Sequence, residues 1–294
     1  MADKTHIEWT DATWHPVTGC SKVSAGCKHC YAERDWVRLS ANPATRYYGR
    51  NFTDVQCHKD MLDLPLRWKR PRRIFVNSMS DLFHPDVPIQ FLEDVMTTME
   101  LARHHTFQVL TKRPAEMLDK LQRIATPVPS NVWLGVSIED QATADTRIPL
   151  LLQAPAAVRW ISAEPLLGPV DLRRLPEVTC GPHIDWVVVG GESGPNARPM
   201  QLELARDLRN QCDAAGVPLL FKQWGEHWPA ILDRKPHEEE PWRITPNGVR
   251  AWNPTESMEP AETWPTVIMK RFGKKVAGRL LDGVEHNGYP QPST

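Results

Sequence analysis

No stretch of this 294-residue chain approaches the ~20 consecutive apolar residues a membrane-spanning helix requires. Neither sign of charge is in surplus: 35 Lys+Arg stand against 36 Asp+Glu. That balance argues against a nucleic-acid coat protein or a membrane-surface binder, and leaves room for a local basic patch. Internal repeats and low-complexity tracts are absent. The opening segment, MADKTHIEWTDATWHP, is charged and interrupted, so it does not read as a signal peptide. The expected compartment is the cytosol, where thiols stay reduced.

Cysteine is scarce as well, at six residues, yet three of the six fall within eleven positions. Cys20, Cys27 and Cys30 sit in TGCSKVSAGCKHCYAER with the spacing C-x6-C-x2-C. Three is an odd number for a disulfide framework, and clustered cysteines in a reducing compartment point to metal or to chemistry. Cys57, Cys180 and Cys212 are scattered and read as packing residues or bystanders. Zinc is one reading of the trio, with His29 or the pair Cys57–His58 completing four ligands. An iron–sulfur cluster is the other.

Tryptophan and proline are abundant, at 12 and 27 residues, and both thicken after residue 224. Residues 225–294 therefore read as a cap or lid extension behind a first unit of residues 1–224. Within that unit, short apolar runs occur at 73–77, 106–111, 131–137, 158–162, 185–191 and 218–223. Most are continuously apolar, as parallel strands buried on both faces are. Helical patterns lie between them at 88–103, 114–124 and 202–216. The second opens on a proline and the third ends on a glycine. Alternating strands and helices predict an α/β fold with a parallel sheet, a partial (β/α) TIM-like barrel.

Polar residues follow nearly every expected strand: Asn77, Ser78, Ser80 and Asp81; Lys112 and Arg113; Ser137 and Glu139; Glu164; Gly190 and Gly191; Lys222. In such a sheet these positions gather at the carboxyl edge, where ligands bind. Helix capping accounts for some of the Ser, Asp and Asn residues, and poorly for Lys112, Arg113, Glu164 or Lys222. Lys112, Arg113, Arg198 and Lys222 together suggest an anionic substrate such as DNA or a nucleotide. Trp224, in a loop, is a stacking candidate. RWKRPRR at 67–73 reads as a solvated basic segment rather than a backbone-tracking patch.

The segments GCSKVSAGCKHCYAE, FVNSMSDLFH, FQVLTKRP, NVWLGVSIED, RWISAEPLLGP, DWVVVGGESGPNARPM and PLLFKQWGE together resemble a phage-associated family of radical S-adenosylmethionine (SAM)-like proteins. The resemblance covers roughly residues 5 to 226. The cysteine loop departs from the superfamily's C-x3-C-x2-C pattern in its wider first gap and in placing Tyr31 after the last cysteine. The resemblance implies that Cys20, Cys27 and Cys30 ligate a 4Fe-4S cluster whose fourth iron binds SAM. It implies SAM contacts from Tyr31, Asn77, Ser78, Ser80, Asp81, Ser137, Glu139, Ile161, Glu164, Gly190 and Gly191. It also implies an electron donor such as flavodoxin or ferredoxin. The reaction it suggests is rearrangement of a hypermodified base in phage DNA, such as isomerisation of an amino acid linked to thymine. The alternatives are a lyase acting on damaged pyrimidines and a zinc-stabilised nucleic-acid-binding module without catalysis.

Overall fold

The computed structural model describes residues 5, 7–174, 183–231, 242–245, 248–251 and 267–290. Cys180 and much of the 225–294 extension lie outside the described residues. In chain order the elements begin with β1 (Ala12–Trp14), β2 (Val17–Thr18), α1 (Tyr31–Ser40), β3 (Gln56–Cys57), β4 (Arg73–Val76), α2 (Ile89–Leu101) and β5 (Thr106–Thr111). There follow α3 (Pro114–Arg123), β6 (Val132–Ile138), α4 (Gln141–Leu152), β7 (Val158–Ala163), β8 (Trp186–Gly190), α5 (Leu202–Ala215) and β9 (Leu219–Gln223). The last are β10 (His227–Ile231), β11 (Trp242–Thr245), β12 (Gly248–Ala251), β13 (Val267–Arg271) and α6 (Lys274–Ala277).

Seven strands form one parallel sheet in the order β1-β4-β5-β6-β7-β8-β9. The fold is α/β, a partial TIM-like barrel in which β1 and β9 are the open edges. Every strand expected from the apolar runs is present to within a residue or two. The strand that opens the sheet, β1, has only three residues, too short for a hydrophobic period to announce it. The last four described strands, β10 to β13, form a separate antiparallel sheet.

Two cores lie on the two faces of the parallel sheet. Val76, Val109, Val136, Ile161, Val187 and Phe221 pack under the helices in the larger one. Side chains in a strand alternate between faces, so their neighbours Phe75, Trp160, Trp186, Val188 and Leu220 form a second cluster on the concave face. Trp9, from the segment before β1, plugs that cluster, with ring centroids 4.6 Å from Phe75 and 5.2 Å from Trp160. Such aromatic contacts contribute about 0.5–1.5 kcal/mol each beyond area burial. Gly135 of β6 makes room for the floor: a Cβ there would lie 2.5 Å from the Trp160 indole. Tyr289 stacks on Trp186 from the other side, bringing the end of the described chain under the barrel.

In α2 the buried face runs through Phe91, Leu92, Val95, Met96 and Met99, and Leu101 is left 67% exposed at the helix end. The basic segment 67–73 is tied to the surface. The Arg72 guanidinium lies over the Trp68 ring at 4.8 Å, and Arg73 pairs with Asp11.

Candidate active site

The alternation that builds the aromatic floor also sorts the polar residues. On the concave face the register carries Trp160 to Ser162 and Glu164, Gly135 to Ser137, Leu110 to Lys112, and Leu220 to Lys222. Leu110, Lys112, Ser137, Ser162, Glu164 and Lys222 line a cavity of about 570 Å³ at the carboxyl edge of the sheet, together with all three clustered cysteines. That volume lies inside the ~300–1,000 Å³ range of small-molecule sites. Ile7, Trp9, Phe75 and Leu110 form its apolar depth, and the cysteine loop forms the opposite wall. Glu226 and Lys274, beyond residue 224, also reach the wall.

The loop is shaped residue by residue. Ala25–Cys27 makes a single 3-10 turn, and Cys30 is the N-cap of α1. The Cys30 thiol therefore meets the first backbone N–H groups of a helix, which favour the thiolate. Burial outweighs them and raises its pKa, with the N–H groups of Glu33 and Ala32 opposing. Burial, reinforced by the Asp81 carboxylate, pushes the Cys20 thiol up to about 12. Ligation at these sulfurs thus has to displace a proton.

Two metal readings can be tested on this donor set. Among the described residues no three His, Cys, Asp or Glu side chains close on one point that would hold a single ion. Cys57 does not line the cavity, and the His58 ring is bonded to Thr18 Oγ1 at 2.8 Å. Of the zinc donors raised by the sequence, the Cys57–His58 pair therefore stands apart from the trio, whereas His29 lines the cavity beside it. Three thiols spread over one cavity wall suit a cluster, in which each thiolate meets a different iron.

The SAM contacts implied by the family resemblance fall into two groups. Tyr31, Asn77, Ser78, Ser80, Asp81, Ser137, Glu164 and Gly191 all line the cavity. Ile161 does not: it occupies the helix-facing core, one residue out of phase with Trp160 and Ser162. Gly190 lies behind Glu164, and a Cβ on Gly191 would lie 2.0 Å from the Trp224 carbonyl, so packing within the chain already requires that glycine. Asp81 is saturated, accepting from Thr111 Oγ1 and from the backbone N–H groups of Phe83 and Lys112. Glu139 is fully buried outside the cavity wall. Four lining residues keep unpartnered polar atoms: Trp9 at Nε1, Asn77 at Nδ2, Arg113 at Nε and Gln223 at Oε1.

The residues read as anion-binding are paired. Lys112 Nζ lies 2.9 Å from Glu139, and Lys222 Nζ lies 2.8 Å from both oxygens of Glu164. Arg198 donates to Glu192 at 2.6 and 2.9 Å, and Arg113 donates to the Ser21 carbonyl and hydroxyl. Five acidic side chains line the cavity (Glu8, Asp81, Glu164, Glu192, Glu226) against five basic ones (Arg34, Lys112, Arg113, Lys222, Lys274). The edge therefore carries no surplus of positive charge. Burial would raise the Glu192 carboxyl, but Arg198 overcomes it and holds the group below the usual range. Trp224 is no stacking platform: it is 1% exposed, packs on Phe221, and donates its indole N–H to the Leu280 carbonyl at 2.9 Å. Trp228 is 43% exposed.

Sequence reasoning did not single out Ser21, Ser24, Arg147, Ile7 or Trp9. No spacing flags them, because each acts through a contact with a distant part of the chain. Ser24 meets Glu139, 115 residues away.

No curated protein matches the sequence. Among solved structures, a point variant of spore photoproduct lyase aligns at 11% identity and a TM-score of 0.43, covering 76% of this chain and 66% of that one. The chain thus spans just under two thirds of that structure's length. The family model described as a protein of unknown function, DUF5131, matches residues 4–290, and the chain belongs to that family.

Proposed function

We propose that the protein is a radical SAM enzyme in which Cys20, Cys27 and Cys30 hold a 4Fe-4S cluster over the cavity. The observation that carries this reading is that three thiols from one short loop line a single cavity at the carboxyl edge of a parallel sheet. When bound, the cluster and SAM supply a 5′-deoxyadenosyl radical able to take hydrogen from an unactivated carbon. The chain supplies position and exclusion of water. Tyr31, Asn77, Ser78 and Glu164 would orient SAM; the support is their position in the cavity lining and the unpartnered Asn77 Nδ2 donor. The aromatic depth receives the reacting partner.

For that partner we favour a base-linked group of DNA, as in isomerisation of an amino acid attached to thymine. Its support is the aromatic floor, which suits a planar ring, together with a wall of balanced charge, which suits a zwitterionic amino-acid group. Any recognition of a DNA backbone would have to come from outside the paired residues of the edge. A flavodoxin- or ferredoxin-type donor would deliver the electron.

The test is anaerobic reconstitution with iron and sulfide, then incubation with a strong reductant and SAM. The expected results are a brown protein with four irons per chain and release of 5′-deoxyadenosine. DNA carrying the modified precursor should change in base mass. A colourless protein holding one zinc overturns the reading. A cluster without 5′-deoxyadenosine overturns the enzyme assignment, and an unchanged base overturns the substrate.

A further inference from the structure

The cysteine loop has little structure of its own beyond one 3-10 turn, and Ser24, the N-cap of that turn, makes no capping bond. Its hydroxyl instead donates to Glu139 Oε1 at 2.7 Å. Lys112 and Arg147 converge on the same oxygen at 2.9 and 3.2 Å. A Cβ on Gly26 would lie 2.5 Å from it, so the loop rests directly on the carboxylate. Two guanidiniums grip the loop's backbone on either side of this contact. Arg113 donates to the Ser21 carbonyl and Arg198 to the Ala25 carbonyl, each at 3.0 Å.

We propose that Glu139 is a positioning residue, the buried anchor that fixes the shape of the cysteine loop before any metal arrives. This deepens the radical SAM reading and rests on it only for what the loop carries. Glu139 is absent from the cavity wall, so it acts through the loop and not on a bound ligand. Its second oxygen, Oε2, is buried without a partner, and such a group is costly to keep. The first oxygen compensates by joining the loop, β6 and α4 at one point. A free loop would have to be ordered at the moment of ligation, whereas an anchored one is ordered by folding.

Ser24→Ala tests this cleanly, because it cuts the link while leaving Glu139 paired with both cations. Hydrogen exchange of residues 20–30 is read in the metal-free protein, alongside the thermal midpoint and the rate of iron and sulfide uptake. The expected result is loop exchange at least tenfold faster, an unchanged sheet and midpoint, and uptake slowed by a similar factor. Ser24→Thr, which restores a hydroxyl, should return exchange and uptake to the wild-type values. Unchanged loop exchange in Ser24→Ala overturns the anchor. Wild-type uptake despite a loosened loop overturns its role in positioning. A wild-type protein that takes up no iron removes the radical SAM reading, while the exchange comparison still decides the anchor.

Discussion

Lys222 and Glu164 face each other across the carboxyl edge of the sheet, with the lysine Nζ 2.8 Å from each carboxylate oxygen. The pair spans β8, whose Gly190 leaves the space: a Cβ there would stand 3.1 Å from the Glu164 carboxyl carbon. Both side chains are mostly buried, at 14% and 20% exposure. Removing one partner leaves the other charge in a partly desolvated wall. Glu164→Gln or Lys222→Met alone should each cost about 1–3 kcal/mol, and the double variant should cost less than the sum, with a coupling of about 1–2 kcal/mol. Urea unfolding of the four proteins measures it. Strict additivity would mean the pair contributes nothing as a pair.

Trp224 and Trp228, which follow β9 directly, should behave oppositely. Trp224 is 1% exposed with its indole N–H bonded, so Trp224→Ala opens a cavity and strands the Leu280 carbonyl. A loss of about 3–5 kcal/mol is expected. Trp228 is 43% exposed, and Trp228→Ala should change stability by less than about 1 kcal/mol. Thermal and urea midpoints separate them. Equal losses would contradict the burial difference.

These two residues also show what the sequence could and could not disclose. The parallel sheet was legible because doubly buried strands write continuous apolar runs, as in Trp186–Gly190. The carboxyl-edge location followed from strand polarity alone. Charge pairing did not follow, since Lys112, Glu139 and Arg147 meet only after two strands and a helix are in register. Trp224 and Trp228 lie four residues apart in one proline- and tryptophan-rich stretch, and only packing against Phe221 and Leu280 distinguishes them. Ile161 lies one residue out of phase with Trp160 and Ser162, which in a strand is a change of face.

Stability should fall on the acid side in two stages. Burial, aided by Arg46, lowers the pKa of His15 and of His58 from the ordinary 6.5 to about 4. The unfolded chain takes up these protons as pH falls through 6.5, whereas the folded chain refuses them until about 4. The folded state therefore loses stability across that window, by up to about 3 kcal/mol per histidine. The second stage belongs to Glu139 and Glu192, whose folded pKa values are depressed below 4.5. Their contribution is present above 4.5 and is lost as pH falls through the folded values. Unfolding midpoints across this range measure both stages. His58→Gln should flatten the first stage and leave the second, and an unchanged first stage would remove His58 as a cause.

The five described cysteines should divide sharply in metal uptake. Cys20, Cys27 and Cys30 line the cavity, so changing any one to serine removes a thiolate that no neighbour replaces. Cys57 is a candidate replacement by sequence proximity to His58, but it lies in β3, paired with Val17 of β2, and does not line the cavity. Cys212 is buried in α5, where burial pushes its thiol up to about 12, which suits a packing residue. Cys57→Ser and Cys212→Ser should therefore reconstitute with wild-type iron and sulfide. Each of the trio's serine variants should lose most of the iron, leaving the far-ultraviolet circular dichroism unchanged. Equal loss in Cys57→Ser would place a fourth thiolate in the centre, which the position of β3 forbids without movement of the loop.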